Sequence, residues 1–162
     1  MNLDDKHVDF KVSEHFNYSE MVTTNHQKLK VENWDKGMDY LENMKYMARW
    51  LEEIRQQWGK PIVLNSGFRC KALNKAIGGA HQSRHMTAEA VDIRCDSKET
   101  ARKMVQTIIY VATVTRSCSD RKFVELNHGY FDELILEHKD KSWWVHFAAK
   151  RVFKENRNKL IT

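Results

Sequence analysis

Two histidines and one aspartate are the residues of this chain whose types and spacing suit metal chemistry. His85 and Asp92 stand seven positions apart, and His146 lies far downstream in the apolar segment Trp143–Ala148. A catalytic zinc site uses three protein ligands of this kind and leaves its fourth position to water. Asp92 also lies in an apolar segment, where a carboxylate needs a cationic partner. The spacing predicts an open zinc site, with a core histidine hydrogen-bonded to an aspartate as the alternative.

The segments around these residues follow the order of a known family pattern. They are Asn65–Arg69, Leu73–Ala80, Ser83–His85 and Ala90–Ile93, with a late Trp-x-His that ends at His146. Together they resemble the M15 family of zinc peptidases, which includes D-Ala-D-Ala carboxypeptidases and the L-alanyl-D-glutamate endopeptidases of phage endolysins. The resemblance runs from about Phe16 to His146. It implies Zn2+ as cofactor, with His85, Asp92 and His146 as its ligands.

The resemblance also implies an active-site arginine, which Arg69 matches. A guanidinium is a planar fork of donors suited to a carboxylate or a polarised carbonyl, so we expect Arg69 to bind substrate and to stabilise charge on the attacked carbonyl. A structural pair of Arg69 with a carboxylate is the alternative. Ser83 matches the serine of the family, and we expect it to orient the His85 loop on the substrate-binding side of the site.

A peptidase of this kind also needs a carboxylate that acts as general base, and at this position the chain departs from the family pattern. Several M15 branches carry this acid three residues before the last histidine, where this chain has Trp143. We predict that Glu137 replaces it, because a related branch has a glutamate in a similar Asp-x-Leu-Ile-x-Glu context. If Glu137 pairs opposite Trp144 in a hairpin, its side chain shares a face with His146, and a slip of one residue turns it away. A solvent-facing strand end is the alternative. The fallback bases are Asp132 and Glu133.

Two smaller departures from the family pattern flank His85. Ala88 replaces a glycine, and we expect it to fit only if its backbone keeps a negative φ. Arg84 stands where the family often has glutamine, and it adds positive charge near the metal.

Hydrophobic periodicity predicts two main helices. Apolar residues recur at threes and fours over about 34–58, before Gly59 and Pro61; they are Met38, Leu41, Met44, Met47, Leu51, Ile54 and Trp58. A second helix runs from an N-cap at Asp96 or Ser97 to about Val114. A short helix is predicted over 71–77 and strands over 61–65, 90–95, 132–137 and 142–148, the last two as a hairpin. The predicted fold class is α+β, with two helices packed on a mainly antiparallel sheet that carries the zinc site, as in hedgehog and D-Ala-D-Ala peptidase folds.

Length and composition predict one domain over residues 1–162. Hydrophobic residues make up 41% and charged residues 30% of the chain, and one proline with six glycines leaves no room for a flexible linker. Within the domain we expect an N-terminal packing segment over 1–33 and a basic C-terminal tail over 150–162.

The net charge and the absence of targeting signals limit which partners and which cellular location we expect. The net charge of +5 suits an anionic partner, but no basic run is interleaved with aromatic residues, so we predict peptidoglycan and not nucleic acid. We find neither a signal-peptide core nor the roughly 18 apolar residues of a membrane span. Three cysteines without a Cys-x-x-Cys pair argue against a disulfide framework. We expect a monomer that is made in the cytoplasm, does not insert into membranes, and reaches the cell wall after release or as a virion component.

The predicted function is zinc-dependent hydrolysis of peptidoglycan stem peptides or cross-links, as in phage endolysins. The residues leave open whether the enzyme is a carboxypeptidase or an endopeptidase. A non-catalytic wall-binding or virion structural module that keeps the fold is the alternative, and the absence of the usual acid before His146 favours it.

Overall fold

The chain folds into short and long helices and one sheet in a computed structural model that describes residues 6–113, 131–152 and 155–162. Its helices are α1 (Tyr18–Met21), α2 (Lys30–Gly37), α3 (Leu41–Trp58), α4 (Lys71–Ala76) and α5 (Lys98–Thr113). Its strands are β1 (Leu64–Ser66), β2 (Ala90–Cys95), β3 (Glu133–Lys139), β4 (Ser142–Ala148) and β5 (Lys159–Ile161). Short 3-10 turns occur at Gln27–Leu29, Met38–Tyr40 and Arg84–Thr87.

The sheet has the strand order β1-β2-β4-β3-β5. The pairs β1–β2, β2–β4 and β4–β3 are antiparallel, and β5 joins β3 in parallel at the edge. The α+β class and the mainly antiparallel sheet are therefore confirmed. The basic C-terminal tail contributes the parallel edge strand, which the sequence pattern did not indicate.

The two faces of the sheet have different roles. One face is apolar and packs against the two long helices, and its side chains are at most 1% exposed: Val91, Ile93, Leu134, Val145 and Phe147. The ring of Trp50 on α3 meets Phe147 edge-on with centroids 5.5 Å apart. Each such buried side chain contributes about 1.5–3 kcal/mol of transfer free energy. The opposite face carries Asp92, Glu137 and His146, because side chains alternate along a strand.

The first predicted long helix is interrupted. The chain passes from α2 through the 3-10 turn Met38–Tyr40 into α3, which ends at Gly59 with φ 78°. A 3-10 turn has about 3.0 residues per turn, so it shifts the angular position of the residues that follow. Met38, predicted on the apolar stripe, lies in this turn and is 44% exposed. A Cβ at Gly37 would also collide with the Tyr18 hydroxyl, so α2 packs closely on α1 just before the interruption.

The second long helix begins as predicted. The Ser97 hydroxyl accepts a hydrogen bond from the Thr100 backbone N–H at 3.0 Å, which makes Ser97 the N-cap of α5. The predicted end of this helix at Val114 lies outside the described residues. None of the helices in the described part of the chain has the length and apolar character of a membrane-spanning segment.

The strands β2 and β4 have the predicted bounds, whereas β1 and β3 differ from the prediction at both ends. The first strand begins at Leu64 and not at Pro61, and its pairing with β2 is irregular between Leu64 and Ser66. The β3 strand extends to Lys139, so the hairpin turn contains only Asp140 and Lys141, and Asp140 adopts φ 54°.

Candidate metal centre

His85 is positioned by a 3-10 turn between α4 and β2. Ser83 precedes the turn, and its hydroxyl accepts a hydrogen bond from the His85 backbone N–H at 3.3 Å. Ala88 ends the turn with φ 57°, so the expectation of a negative φ was wrong. The Ala88 N–H donates to the His85 carbonyl at 3.3 Å, and the left-handed conformation of Ala88 lets the next N–H, of Glu89, reach the Arg84 carbonyl at 3.0 Å and close the turn.

Asp92 and His146 are brought together by strand pairing. They stand opposite each other on β2 and β4, and Asp92 Oδ1 lies 3.1 Å from His146 Nδ1. His85 Nε2 approaches the same carboxylate oxygen at 3.2 Å. Within the described part of the chain these three residues are the group whose donor atoms, all within 4.8 Å of one another, could hold a metal ion. The structure therefore brings together the three predicted ligands.

The chemistry of His85 fits a metal. His85 Nδ1 lies 2.7 Å from the carbonyl oxygen of Gly67, which can only accept, so Nδ1 carries the proton and Nε2 presents a lone pair. His85 Nε2 is buried and has no hydrogen-bond partner among the described residues. A lone pair that faces the Asp92 carboxylate is repulsive unless a cation lies between the two atoms. A bound metal ion would meet this requirement.

His146 lies between two carboxylates. Its Nδ1 faces Asp92, and its Nε2 lies 2.9 Å from Glu133 Oε2. Burial alone would lower the pKa of His146, but the two carboxylates overcome this effect and raise the pKa to about 9. Burial likewise would raise the pKa of Asp92, yet the neighbouring histidines hold it well below its usual range. The centre thus keeps Asp92 ionised, as a metal ligand must be.

Arg69 borders the ligand group. Its Nε donates to the Ser66 hydroxyl at 3.2 Å, one terminal nitrogen donates to Asn74 Oδ1 at 3.0 Å, and the other lies 3.8 Å from Asp92 Oδ2. Burial lowers the pKa of Arg69, while the charges of Asp92 and Glu137 oppose this shift. A Cβ at Gly79 would overlap the Asn74 side chain, so this position requires glycine for close packing.

Glu137 lies on the same face of the sheet as the ligands. The structure pairs it with Trp144, the register that turns its side chain towards the face of His146. The Trp144 indole N–H donates to Glu137 Oε2 at 2.6 Å. One carboxylate oxygen is therefore held by the indole, and the carboxylate lies close enough to Arg69 for the two charges to interact.

The two fallback bases are committed to other partners. The Asp132 side chain is fully buried, and Arg84 Nε and Arg157 each donate to it at 2.9 Å or less. Glu133 accepts from His146 and, at 2.7 Å, from Arg157. Sequence reasoning missed both the role of Glu133 beside His146 and the contribution of Arg157. No motif indicated them, because Arg157 lies in a polar tail.

Comparison with known proteins identifies the family. A sequence model of the family described as Peptidase M15 matches residues 14–124, which is more than half of the chain. The chain belongs to the peptidase M15 family. The match includes Arg69, His85 and Asp92 and ends before β3, which precedes His146 in the chain.

One relative of this M15 chain is the zinc D-Ala-D-Ala carboxypeptidase of Streptomyces albus G. The two proteins are 43% identical over 49 residues, which are 30% of this chain and 19% of the relative. The chain thus matches about a fifth of the relative's length. Family membership and the His–Asp–His group together indicate Zn2+ as the cofactor.

Proposed function

We propose that this M15 chain hydrolyses the peptide part of bacterial peptidoglycan and that His85, Asp92 and His146 bind its zinc. The observation that carries the proposal is the meeting of these three side chains around a buried His85 nitrogen without a hydrogen-bond partner among the described residues. When bound there, zinc supplies Lewis acidity that polarises a peptide carbonyl and makes water easier to deprotonate.

Glu137 is the general base of this proposal. It shares a sheet face with His146, and the Trp144 indole N–H donates to its Oε2 and so fixes the orientation of the carboxylate. A general base acts within hydrogen-bond reach of the proton that it abstracts. Glu137 would take the proton of the attacking water and deliver it to the nitrogen of the leaving amine, so that the carboxylate is regenerated.

Arg69 is the proposed donor to the scissile carbonyl oxygen. Its guanidinium is held by Ser66 and Asn74, and its remaining terminal nitrogen points towards the ligand group. A donor that is fixed before the reaction stabilises the negative charge that develops on the carbonyl oxygen without further reorganisation. Ser83 has a supporting role, because its hydroxyl caps the turn that carries His85.

The substrate assignment follows from the family and from charge. The relative acts, by its name, on D-Ala-D-Ala, which occurs in the stem peptides of the bacterial wall. The net charge of +5 favours a wall that contains anionic polymers. Within this proposal the chain is a lytic or remodelling enzyme, such as a phage lysin, that cleaves either at the end of a stem peptide or within it.

The test measures zinc content and the release of new amino groups from purified peptidoglycan. We expect one zinc per chain and hydrolysis by the wild type, loss of both in His85→Ala, and retained zinc with only a small residual rate of hydrolysis in Glu137→Gln. His81→Ala, which removes an exposed histidine from the same loop, is the matched control and should behave as the wild type. Mass spectrometry of the released peptides distinguishes terminal from internal cleavage.

Each other result has a defined meaning. Zinc binding without hydrolysis by the wild type would favour the non-catalytic wall-binding module. Hydrolysis by Glu137→Gln at the wild-type rate would remove Glu137 as the base. A wild type that binds no zinc would contradict the proposed site.

A further inference from the structure

We propose that Arg157, in the C-terminal segment outside the M15 match, is a positioning residue of the metal centre. It would act through Glu133, which orients His146 so that Nδ1 faces the other two ligands. The inference rests on the zinc site proposed above, and it assigns a role to a part of the chain that the family comparison does not cover.

The contacts form a continuous chain of charge-assisted hydrogen bonds. A terminal nitrogen of Arg157 donates to Glu133 Oε1 at 2.7 Å, and Glu133 Oε2 lies 2.9 Å from His146 Nε2. Because a carboxylate only accepts, this contact requires the proton of His146 on Nε2. Nδ1 faces Asp92 at 3.1 Å, and metal binding would displace the proton of Nδ1 while Nε2 keeps its own beside Glu133. Carboxylates that bind a ligating histidine in this way fix its orientation and strengthen it as a ligand.

Arg157 is itself held in a defined geometry. Its Nε lies 2.9 Å from Asp132 Oδ1, its terminal nitrogen lies 2.7 Å from Asp132 Oδ2, and its backbone N–H donates to Oδ1 at 3.1 Å. The flat guanidinium therefore spans two adjacent carboxylates, Asp132 and Glu133, which the single charged group of a lysine cannot reproduce. Because the guanidinium is held by Asp132, it also holds the Glu133 carboxylate in a fixed orientation.

The Asp132 carboxylate that binds Arg157 also binds the turn that carries His85. Arg84 Nε donates to Asp132 Oδ2 at 2.9 Å, and Arg84 directly precedes His85. Asp132 thus joins the start of β3, the C-terminal segment and the turn that carries His85. Arg157 thus contacts the carboxylate that binds His146 directly and also the carboxylate that binds Arg84, the residue before His85.

The backbone of the C-terminal segment is fixed independently of the Arg157 side chain. Asn158 N–H donates to the Phe131 carbonyl at 2.9 Å, and Lys159 N–H donates to the Asp132 carbonyl at 3.0 Å, where β5 begins. When the Arg157 side chain is removed, Asp132 still accepts the hydrogen bond from Arg84. We therefore expect Arg157→Gln to fold, and its effect on the metal centre can be measured separately from stability.

The experiment is a double-mutant cycle on zinc affinity. Zinc dissociation constants, from competition with a chromophoric chelator, are compared for the wild type, Arg157→Gln, Glu133→Ala and the double variant. Arg151→Gln is the matched control, since Arg151 lies in the same segment and binds Asn43 at 2.7 Å. Near-UV circular dichroism checks folding, and Arg157→Lys, which keeps a cation beside Asp132, replaces Arg157→Gln if that variant does not fold.

We expect Glu133→Ala to weaken zinc binding by roughly 10–100-fold and Arg157→Gln by about tenfold, as found for the outer partners of ligating histidines. The double variant should match Glu133→Ala alone, because Arg157 has no route to His146 once Glu133 is absent. In zinc-loaded protein with 15N-labelled histidine, the His146 Nε2–H should exchange with water faster in Arg157→Gln than in the wild type or Arg151→Gln.

Three results would overturn the inference. Arg157→Gln could bind zinc as tightly as Arg151→Gln, the two losses could add in the double variant, or the His146 Nε2–H exchange could be unchanged. All three presuppose a wild type that binds zinc. A wild type without zinc affinity would instead contradict the proposed function, so the two failures are distinguishable.

Discussion

Asp92 and His146 face each other across β2 and β4, with Asp92 Oδ1 3.1 Å from His146 Nδ1. Two of the three candidate ligands are therefore fixed by the hydrogen-bond ladder in the middle of the sheet, while His85 is supplied by a turn. A slip of one residue would move both side chains to the helix-covered face, where Val91, Ile93, Val145 and Phe147 form the core. The same apolar burial that stabilises the sheet thus sets the geometry of the site.

Asp92→Asn should abolish tight zinc binding while the fold is kept. The amide keeps the shape of the side chain but removes the negative charge that a divalent cation requires between His85 and His146. We expect a loss larger than the roughly 10–100-fold typical of changes outside the ligands. Metal analysis after dialysis against a weak chelator measures this loss, and unchanged near-UV circular dichroism confirms folding. Zinc retention at the wild-type level would remove Asp92 from the ligand set.

The residues that sequence reasoning identified share one property. His85, Asp92 and His146 interrupt apolar segments or occur within family motifs, so their burial and their chemistry are visible in the sequence. The antiparallel sheet and α5 were equally predictable, because strand alternation and helical periodicity depend on local composition.

The remaining features depend on contacts between distant segments. The interruption at Met38–Tyr40 coincides with the packing of Gly37 against Tyr18, which local periodicity does not encode. Arg157 contacts Glu133 across 24 positions of the chain, and β5 pairs with β3 in parallel. The left-handed Ala88 is a further example, since the demand for that conformation comes from the turn that holds His85.

Gly67→Ala should both destabilise the fold and loosen His85. A Cβ at Gly67 would overlap the carbonyl oxygen of Met21, and the Gly67 carbonyl accepts from His85 Nδ1. Overpacking of this kind costs about 1–3 kcal/mol. Gly78→Ala is the matched control, because Gly78 has φ 69° but open space around its Cβ position, so it should lower stability without weakening zinc binding. Thermal unfolding and zinc titration measure the two effects.

If Gly67→Ala lowers stability no more than Gly78→Ala, the close contact with Met21 does not constrain the loop. If it lowers stability but leaves zinc affinity unchanged, the Gly67 carbonyl does not position His85.

Asp132 should make the free energy of unfolding fall in acid. Burial alone would raise the pKa of Asp132, but hydrogen bonds from Arg157 and Arg84 lower it to about 2. The folded pKa is thus below the unfolded value of about 3.9, so the ionised group stabilises the fold above pH 4 and this contribution is lost as the pH falls towards 2. The contribution amounts to about 2 kcal/mol.

Urea unfolding at pH 6 and pH 3 measures this contribution when the wild type is compared with Asp132→Asn. The variant should be less stable than the wild type at pH 6 and should lose less stability between the two pH values. An equal loss in both proteins would show that other carboxylates account for the acid sensitivity.

Arg69→Lys should lower kcat and leave the zinc content unchanged. The lysine keeps the positive charge near Asp92 but loses the planar set of donors that Ser66 and Asn74 hold in place. Removal of a fixed donor to a developing oxyanion typically costs about 10²–10³ in kcat. Steady-state hydrolysis of a peptidoglycan fragment, with KM measured separately, checks this. A change in KM alone would assign Arg69 to substrate binding and not to the transition state.

Trp144→Phe should lower the rate of hydrolysis, and it should do so only by its effect on the orientation of Glu137. Phenylalanine keeps an aromatic side chain on β4 but lacks the indole N–H that donates to Glu137 Oε2 at 2.6 Å. A hydrogen bond to a charged group contributes about 1.5–3 kcal/mol, so kcat should fall about 10–100-fold while zinc affinity stays at the wild-type value. In the Glu137→Gln background the same substitution should have a smaller effect, because the carboxylate that it orients is absent. An equal effect in both backgrounds would mean that Trp144 acts on the substrate directly and does not orient Glu137.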